Sequence, residues 1–344
     1  MLTARELALE GWQVSLIDRG VLGRESSWAG GGILSPLYPW REHTGLAGLI
    51  RFSQQTYPRL AKALFDETGV DPEWIQSGLL ILDTEDAGQA MDWSGVNQAS
   101  LQVLNHKQAR TLEPAIRDFA GKAVMLPEAA HIRNSRLIPA LKQSLINIGV
   151  SLLEHTEVRR ISLHNNEVHK IETTQGEFRA KITVMANGAW GSELLPELAI
   201  RPIRGQMICY QAVPGLISHI ILKHGTYLIP RRDGHILAGS TVEDVGFDKG
   251  ITDAARKKLS DAAEDIVPGI NEFPLVGHWS GLRPATRTGL PYIGKHPAIG
   301  GMYLNIGHHR NGILLAPGSA RLLGDILMGR KPEFSADPFR FAPG

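Results

Sequence analysis

Two arginines stand where a small acid can be held. One lies in Gly281-Leu282-Arg283-Pro284, and Gly307-His308-His309-Arg310-Asn311-Gly312-Ile313-Leu314 begins 23 residues past that proline. Both read as neighbours of glycine-rich turns, and the second turn opens onto an apolar run that reads as a helix. A guanidinium presents a planar fork of donors that meets a carboxylate in two parallel hydrogen bonds. A helix start presents bare N–H groups and the positive end of the helix dipole. The pattern therefore predicts a site in which Arg283 fixes a carboxylate beside an electron-rich ring. The amides of Gly312, Ile313 and Leu314 would stabilise negative charge on that ring. Structural roles are expected for His308 and His309, and no Cys, His or carboxylate set has metal-ligand spacing.

Several elements must position these groups. Residues 1–10 read as a helix with Gly11 as its left-handed stop, and Trp12, Val14 and Leu16 alternate with polar residues in a strand running to Asp18. This is the second half of a dinucleotide-binding βαβ unit, in which the terminal acid accepts a ribose hydroxyl. No strand or G-x-G-x-x-G precedes it in this chain, so Met1 is expected to be an internal methionine of a longer protein. The alternative is that Met1 is the true start and Asp18 an ordinary surface acid. Ser26-Ser27-Trp28-Ala29-Gly30-Gly31-Gly32-Ile33 reads as a loop whose backbone approaches something closely. Helical spacing covers 53–69 and 136–148, and a short apolar strand covers 79–82. A turn-linked pair of strands spans 158–163 and 168–173, and an apolar strand at 182–188 runs into Asn187-Gly188. Strands dominate 201–276, interrupted by a helix at 251–266, and the chain closes with a strand at 301–306 and a helix at 312–328.

The 36 basic and 35 acidic residues nearly cancel, which gives a nucleic-acid partner no support. Apolar content of 43% is ordinary for a globular chain of 344 residues, long enough for two domains. No run is long and apolar enough to predict an integral membrane segment. The single cysteine, Cys209, sits in an apolar run as a buried structural thiol and fits a reducing, cytoplasmic location.

On these residues the chain resembles the D-amino-acid oxidase-like flavoproteins, and within them the glycine oxidases linked to thiamine biosynthesis. The likeness is densest in Gly281-Leu282-Arg283-Pro284, Gly289-Leu290-Pro291-Tyr292-Ile293-Gly294 and Gly307 through Pro317, and extends more weakly through 184–190, 227–231 and 2–20. It implies an α/β fold with a Rossmann-like FAD-binding domain, here lacking its first strand and glycine loop, and an antiparallel-sheet substrate domain of α+β type. The FAD-binding domain is expected at 1–48, 128–200 and 277–344, and the substrate domain at 49–127 and 201–276.

The resemblance also implies non-covalent FAD, a small amino-acid substrate and molecular oxygen reduced to hydrogen peroxide. Arg283 matches the arginine that holds the substrate carboxylate, Tyr227 a tyrosine supporting it, and Arg310 a second arginine near substrate and cofactor. Val242 stands where relatives carry another pocket side chain. Cofactor contacts are expected from Asp18, from Ser27, Gly31, Gly32 and Ile33, and from Val158, Asn187 and Gly188. The turn at His309, Arg310 and Asn311, with Gly312, Ile313 and Leu314, completes the set. Glycine, sarcosine or small D-amino acids are the expected substrates, with a link to thiamine thiazole synthesis. A homo-oligomer is compatible with the chain. Two alternatives stand: a dehydrogenase passing electrons to a quinone or protein, and an inactive, truncated remnant or partner-binding scaffold.

Overall fold

A computed structural model describes residues 1–342. Helix α1 (Leu2–Leu9) stops before Gly11, whose φ of 84° is left-handed, and leads into β1 (Ser15–Ile17). A short α2 (Ser26–Ala29) precedes α3 (Ala47–Thr68), which Gly69 ends in the left-handed conformation with its N–H on the Phe65 carbonyl. Next come β2 (Leu79–Thr84), α4 (Ala87–Asn97), β3 (Gln102–Leu104), α5 (His106–Leu112) and β4 (Lys122–Leu126). Helix α6 (Asn134–Asn147) and β5 (Ser151–Leu153) are followed by a meander of β6 (Val158–His164), β7 (Glu167–Thr173) and β8 (Gly176–Phe178). Strand β9 (Thr183–Met185) and a short α7 (Gly191–Leu194) lead to β10 (Arg201–Gln211), β11 (Ile220–Lys223), β12 (Thr226–Pro230) and β13 (His235–Gly239). The chain finishes with α8 (Asp253–Ile266), β14 (Leu275–Ala285), β15 (Tyr292–Lys295), β16 (Met302–Ile306) and α9 (Gly312–Leu327).

One layer holds two small sheets, β1 beside β5 and β15-β16-β9, with parallel pairing between β1 and β5 and between β16 and β9. The other is an eight-stranded sheet in the order β14-β10-β13-β12-β11-β2-β4-β3. It is mixed rather than purely antiparallel, because β2 joins β11 in parallel within the same sheet. Arg283 does not lie beside a turn as its glycines suggest. It is inside β14, an edge strand that tolerates Pro284, which faces Pro202 across the ladder. The domain break expected between residues 276 and 277 falls inside this strand.

Side chains alternate across a sheet, so the register decides which residues meet. On one face Leu80, Ile208, Tyr210, Ile221, Leu228 and Ala238 pack with Leu259, Ala263 and Ile266 of α8 in an apolar core. Register sets Gly205 opposite Gly281, Ile203 opposite Arg283, and Gly239 opposite both Met207 and Tyr227. The other face therefore carries Arg283 and Tyr227 around a floor of three glycines on neighbouring strands.

Helix α3 fixes the start of α9. Pro317 has no N–H for the Ile313 carbonyl, and the buried Tyr57 hydroxyl donates to that carbonyl instead. Ser53 Oγ accepts from Gly318 N at 3.0 Å, and a Cβ on Gly318 would fall 2.9 Å from the Leu49 backbone carbonyl oxygen, so glycine permits this approach. Tyr57→Phe is expected to cost about 1–3 kcal/mol by leaving the Ile313 carbonyl without a donor. Urea unfolding checks it; an unchanged midpoint would mean the bond contributes nothing.

Candidate active site

Arg283 lies flat over Gly205, where a Cβ would fall 2.1 Å from its Nη1 and 2.2 Å from its Nη2. Its Nη1 donates to the Thr241 carbonyl at 3.1 Å and its Nη2 to Ser240 Oγ at 2.6 Å. Both acceptors are neutral, and among the described residues no carboxylate forms an ion pair with this guanidinium. Burial lowers its pKa from the ordinary value, and the Tyr227 hydroxyl beside it opposes that shift. Two of five donors are held by the protein, and a sheltered cation without a counter-ion remains.

Tyr227 is buried, its hydroxyl 3.8 Å from Met207 Sδ. Its ring fills the space above Gly31 and Gly239, 3.3 Å and 3.2 Å from where Cβ atoms would stand. The glycine loop is close to something, as expected, but at Gly31 and Gly32 that something is protein. A Cβ on Gly31 would meet Ile229 Cδ1 at 2.6 Å, and one on Gly32 would meet the Ile132 carbonyl at 2.0 Å. Ile33 forms a bridge with His131, and Asn134 Nδ2 donates to the carbonyls of Ser27 and Gly30 at 2.7 and 2.8 Å. Arg231, 5% exposed, fastens the loop by donating to the Gly31 carbonyl at 2.7 Å and the Ile132 carbonyl at 3.2 Å. Its Nη1 also meets His131 Nδ1 at 2.8 Å, and burial holds His131 neutral with a pKa of about 3.

The turn before α9 packs against β14. His309 there adopts a left-handed φ of 47°, and Asn311 caps the helix without a side-chain hydrogen bond, so the first-turn amides have no side-chain acceptor. Burial, reinforced by Arg283 and Arg310, lowers the His309 pKa to about 4. That influence puts both arginines in the neighbourhood of one imidazole. Arg310 is 4.0 Å from Glu42 Oε1, and both border a cavity of about 350 Å³ with Tyr38, His309 and Asn311. Arg283 and Tyr227 are not in that lining. Val242 is 74% exposed, while its neighbours Ser240 and Thr241 meet Arg283.

Asp18 ends its strand with Oδ1 accepting from Gly20 N at 2.8 Å, and burial raises its carboxyl pKa. Thr156 N donates to the Asp18 carbonyl at 2.8 Å, which runs the segment leading to Val158 past this acid. Arg19 stacks over Trp190, 3.9 Å from its ring centroid, bringing the Asn187-Gly188 turn to the same place. Gly188 has a left-handed φ of 58°, and Asn187 Nδ2 donates to the Trp190 carbonyl at 2.9 Å while its buried Oδ1 has no partner. An orphaned amide oxygen and helix amides without a side-chain cap suit a polar, anionic dinucleotide. The expected contacts thus gather into an Asp18–Val158–Asn187–Gly188 group, the Ser27–Ile33 loop and the 309–314 turn. Gly205, Ser240, Thr241 and Arg231 escape the sequence reading. A lone glycine between Arg204 and Gln206, at an inward position of the alternating stretch 203–207, is the signal for Gly205.

His308 is bonded to Ser319 Oγ at 2.9 Å, and burial lowers its pKa to about 4. The unfolded chain, near 6.5, binds more protons between those values, so stability is complete above about pH 6.5 and falls as pH drops toward 4. His308→Gln is expected to flatten that acid limb by on the order of a few kcal/mol, read from denaturant midpoints at pH 4.5 and 7.5. An equally steep limb would contradict this.

A family model described as DAO, FAD dependent oxidoreductase, matches residues 1–326. A glycine oxidase of Pseudomonas aeruginosa is 44% identical, covering 100% of this chain and 95% of that protein. A bifunctional protein ThiO/ThiG of Synechocystis is 29% identical over 93% of this chain, which spans 48% of that protein. The solved glycine oxidase from Geobacillus kaustophilus superposes with a TM-score of 0.94 at 29% identity, covering 100% of this chain and 95% of that one. With the dinucleotide-type layer and the site-bearing sheet now described, these matches over nearly the whole length establish that the chain belongs to the FAD-dependent oxidoreductase family.

Proposed function

We propose that this protein oxidises glycine or a related small amine, such as sarcosine or a small D-amino acid, with oxygen as the electron acceptor. The observation that carries the reading is Arg283, a sheltered cation bonded to two neutral acceptors and to no carboxylate. A substrate carboxylate supplies the missing charge, and the Tyr227 hydroxyl beside the guanidinium supports it. Bound FAD supplies the two-electron acceptor. The Cα–H bond breaks with its electron pair leaving as hydride, and the nitrogen loses a proton to give an imine. Water converts the imine to the 2-oxo acid and ammonia (methylamine where sarcosine is the substrate), while oxygen takes up two electrons and two protons as hydrogen peroxide.

The protein's own part is orientation and electrostatics. Arg283 aims the α-carbon, and the first-turn amides of α9 favour negative charge. His309, neutral above about pH 4, adds no third positive charge to that of the two arginines. The name of the glycine oxidase relative supports glycine as the amine, and the family resemblance carries the proposed place in thiamine thiazole synthesis. The substrate domain is taken as 79–127 and 201–285, with the remainder holding FAD, because β14 is laddered to β10 along its length and α3 packs with α6 and α9. No helix of the described residues is long and apolar enough to cross a membrane. The free, buried Cys209 supports a reducing, cytoplasmic location.

The test is anaerobic addition of glycine to the purified, FAD-loaded protein, then readmission of air. Bleaching followed by stoichiometric peroxide is expected. Bleaching without peroxide until a quinone is added would favour the dehydrogenase, and no bleaching with any small amine would end the reading.

A further inference from the structure

Arg283 is only as well aimed as the segment that holds it. Its two anchors, Ser240 and Thr241, follow β13 in a stretch tied to β10: Thr241 N donates to the Gln206 carbonyl at 3.2 Å and Gln206 N to Thr241 Oγ1 at 2.8 Å. Arg204 and Glu243 exchange both backbone bonds at 2.9 Å. Arg204 and Gln206 flank Gly205 and so point to the opposite side of the sheet from Arg283. There Arg204, 4% exposed, donates to Glu243 Oε2 through Nε at 3.0 Å and Nη2 at 2.5 Å, and its Nη1 reaches Asp248. Glu243 Oε1 accepts from the Thr241 hydroxyl and from Gln206 Nε2, the latter at 2.9 Å.

We propose that Glu243, locked by Arg204, is a positioning residue for substrate binding: it fixes Thr241, and through the Thr241 carbonyl and Ser240 it sets the plane of the Arg283 guanidinium. This rests on the reading that Arg283 binds the substrate carboxylate. A carboxylate suits the role because one oxygen takes the Arg204 fork while the other accepts from Thr241 and Gln206. An amide offers one acceptor oxygen, and the charged fork claims it. The NH₂ group is then left against Gln206 Nε2 and the Thr241 hydroxyl, and the segment loosens.

The experiment compares glycine kinetics of the FAD-loaded wild type, Glu243→Gln, Arg283→Ala and the double variant, using kcat/KM from the linear region where saturation is out of reach. Glu243→Gln is expected to raise KM about 10-fold with kcat within about 2-fold, and to change kcat/KM no further once Arg283 is Ala. An equal loss in the Arg283→Ala background, or a fall in kcat with KM unchanged, would overturn the proposal. If Glu243→Gln does not fold, Thr241→Val leaves the Arg204 ion pair in place and takes its position in the same four-way comparison, where the same results support or overturn the proposal. Arg283→Ala with an unchanged glycine KM would instead defeat the carboxylate reading itself, and this proposal with it.

Discussion

Replacing Arg283 by alanine is expected to lower kcat/KM for glycine by about 10²–10⁴. Each charge-assisted hydrogen bond contributes about 1.5–3 kcal/mol, and two of them divided by about 1.4 kcal/mol per decade give that range. The substitution also strands Ser240 Oγ and the Thr241 carbonyl, both of which it now satisfies. The thermal midpoint of the apoprotein should nevertheless hold or rise, because the change removes a partly buried cation without a counter-ion. Arg283→Lys should fall between, since an ammonium keeps the charge but cannot meet both carboxylate oxygens in plane. Peroxide release across a glycine series and a melting curve check the two halves. Unchanged kinetics would remove the carboxylate site.

Gly205→Ala is the second large effect, and it separates site from scaffold. The new Cβ would stand 2.1 Å from Arg283 Nη1 and 2.3 Å from its Cζ, closer than any real contact. The obstructing group is the far end of a flexible side chain, so the guanidinium swings away and the strand survives. The expectation is a loss of about 10–100-fold in kcat/KM, equivalent to about 1.4–2.8 kcal/mol of binding, with a stability change under about 1 kcal/mol. Gly281, directly opposite in register, makes the control. Its Cβ would stand 2.6 Å from Ala29 Cβ on α2, a packed backbone element that cannot swing. Gly281→Ala should therefore destabilise the fold. Equal stability losses for both would contradict this division.

Much of the site was legible in the residues themselves. Arg283, Tyr227 and Arg310 announce their chemistry by type, and the glycine before an apolar run announces the start of α9. Asp18 reads as a strand-end acid because the alternation of Trp12, Val14 and Leu16 is strong. What stayed hidden depends on register. The stretch 275–285 carries two glycines and a proline and lacks clean alternation, so it reads as turns; pairing with β10 makes it a strand. That same pairing brings Gly205 beneath the guanidinium, a juxtaposition that no local pattern encodes. Segment 240–243 has no periodicity and looks like loop, yet it anchors Arg283 through one carbonyl and one hydroxyl. Tyr57 reads correctly as a helix-face aromatic, but its service to the carbonyl freed by Pro317 spans 256 residues of sequence. The triple glycine reads correctly as a close approach, while its nearest neighbours are Ile229, Tyr227 and the Ile132 carbonyl.

The central claim is that Arg283 and the start of α9 serve one site, so a carboxylate bound at the first is felt by the ring held near the second. Titrating the FAD-loaded protein with acetate while recording the flavin absorption spectrum tests this directly. A saturable perturbation in the wild type that disappears in Arg283→Ala is the predicted result. The same perturbation with the same affinity in both proteins would contradict it.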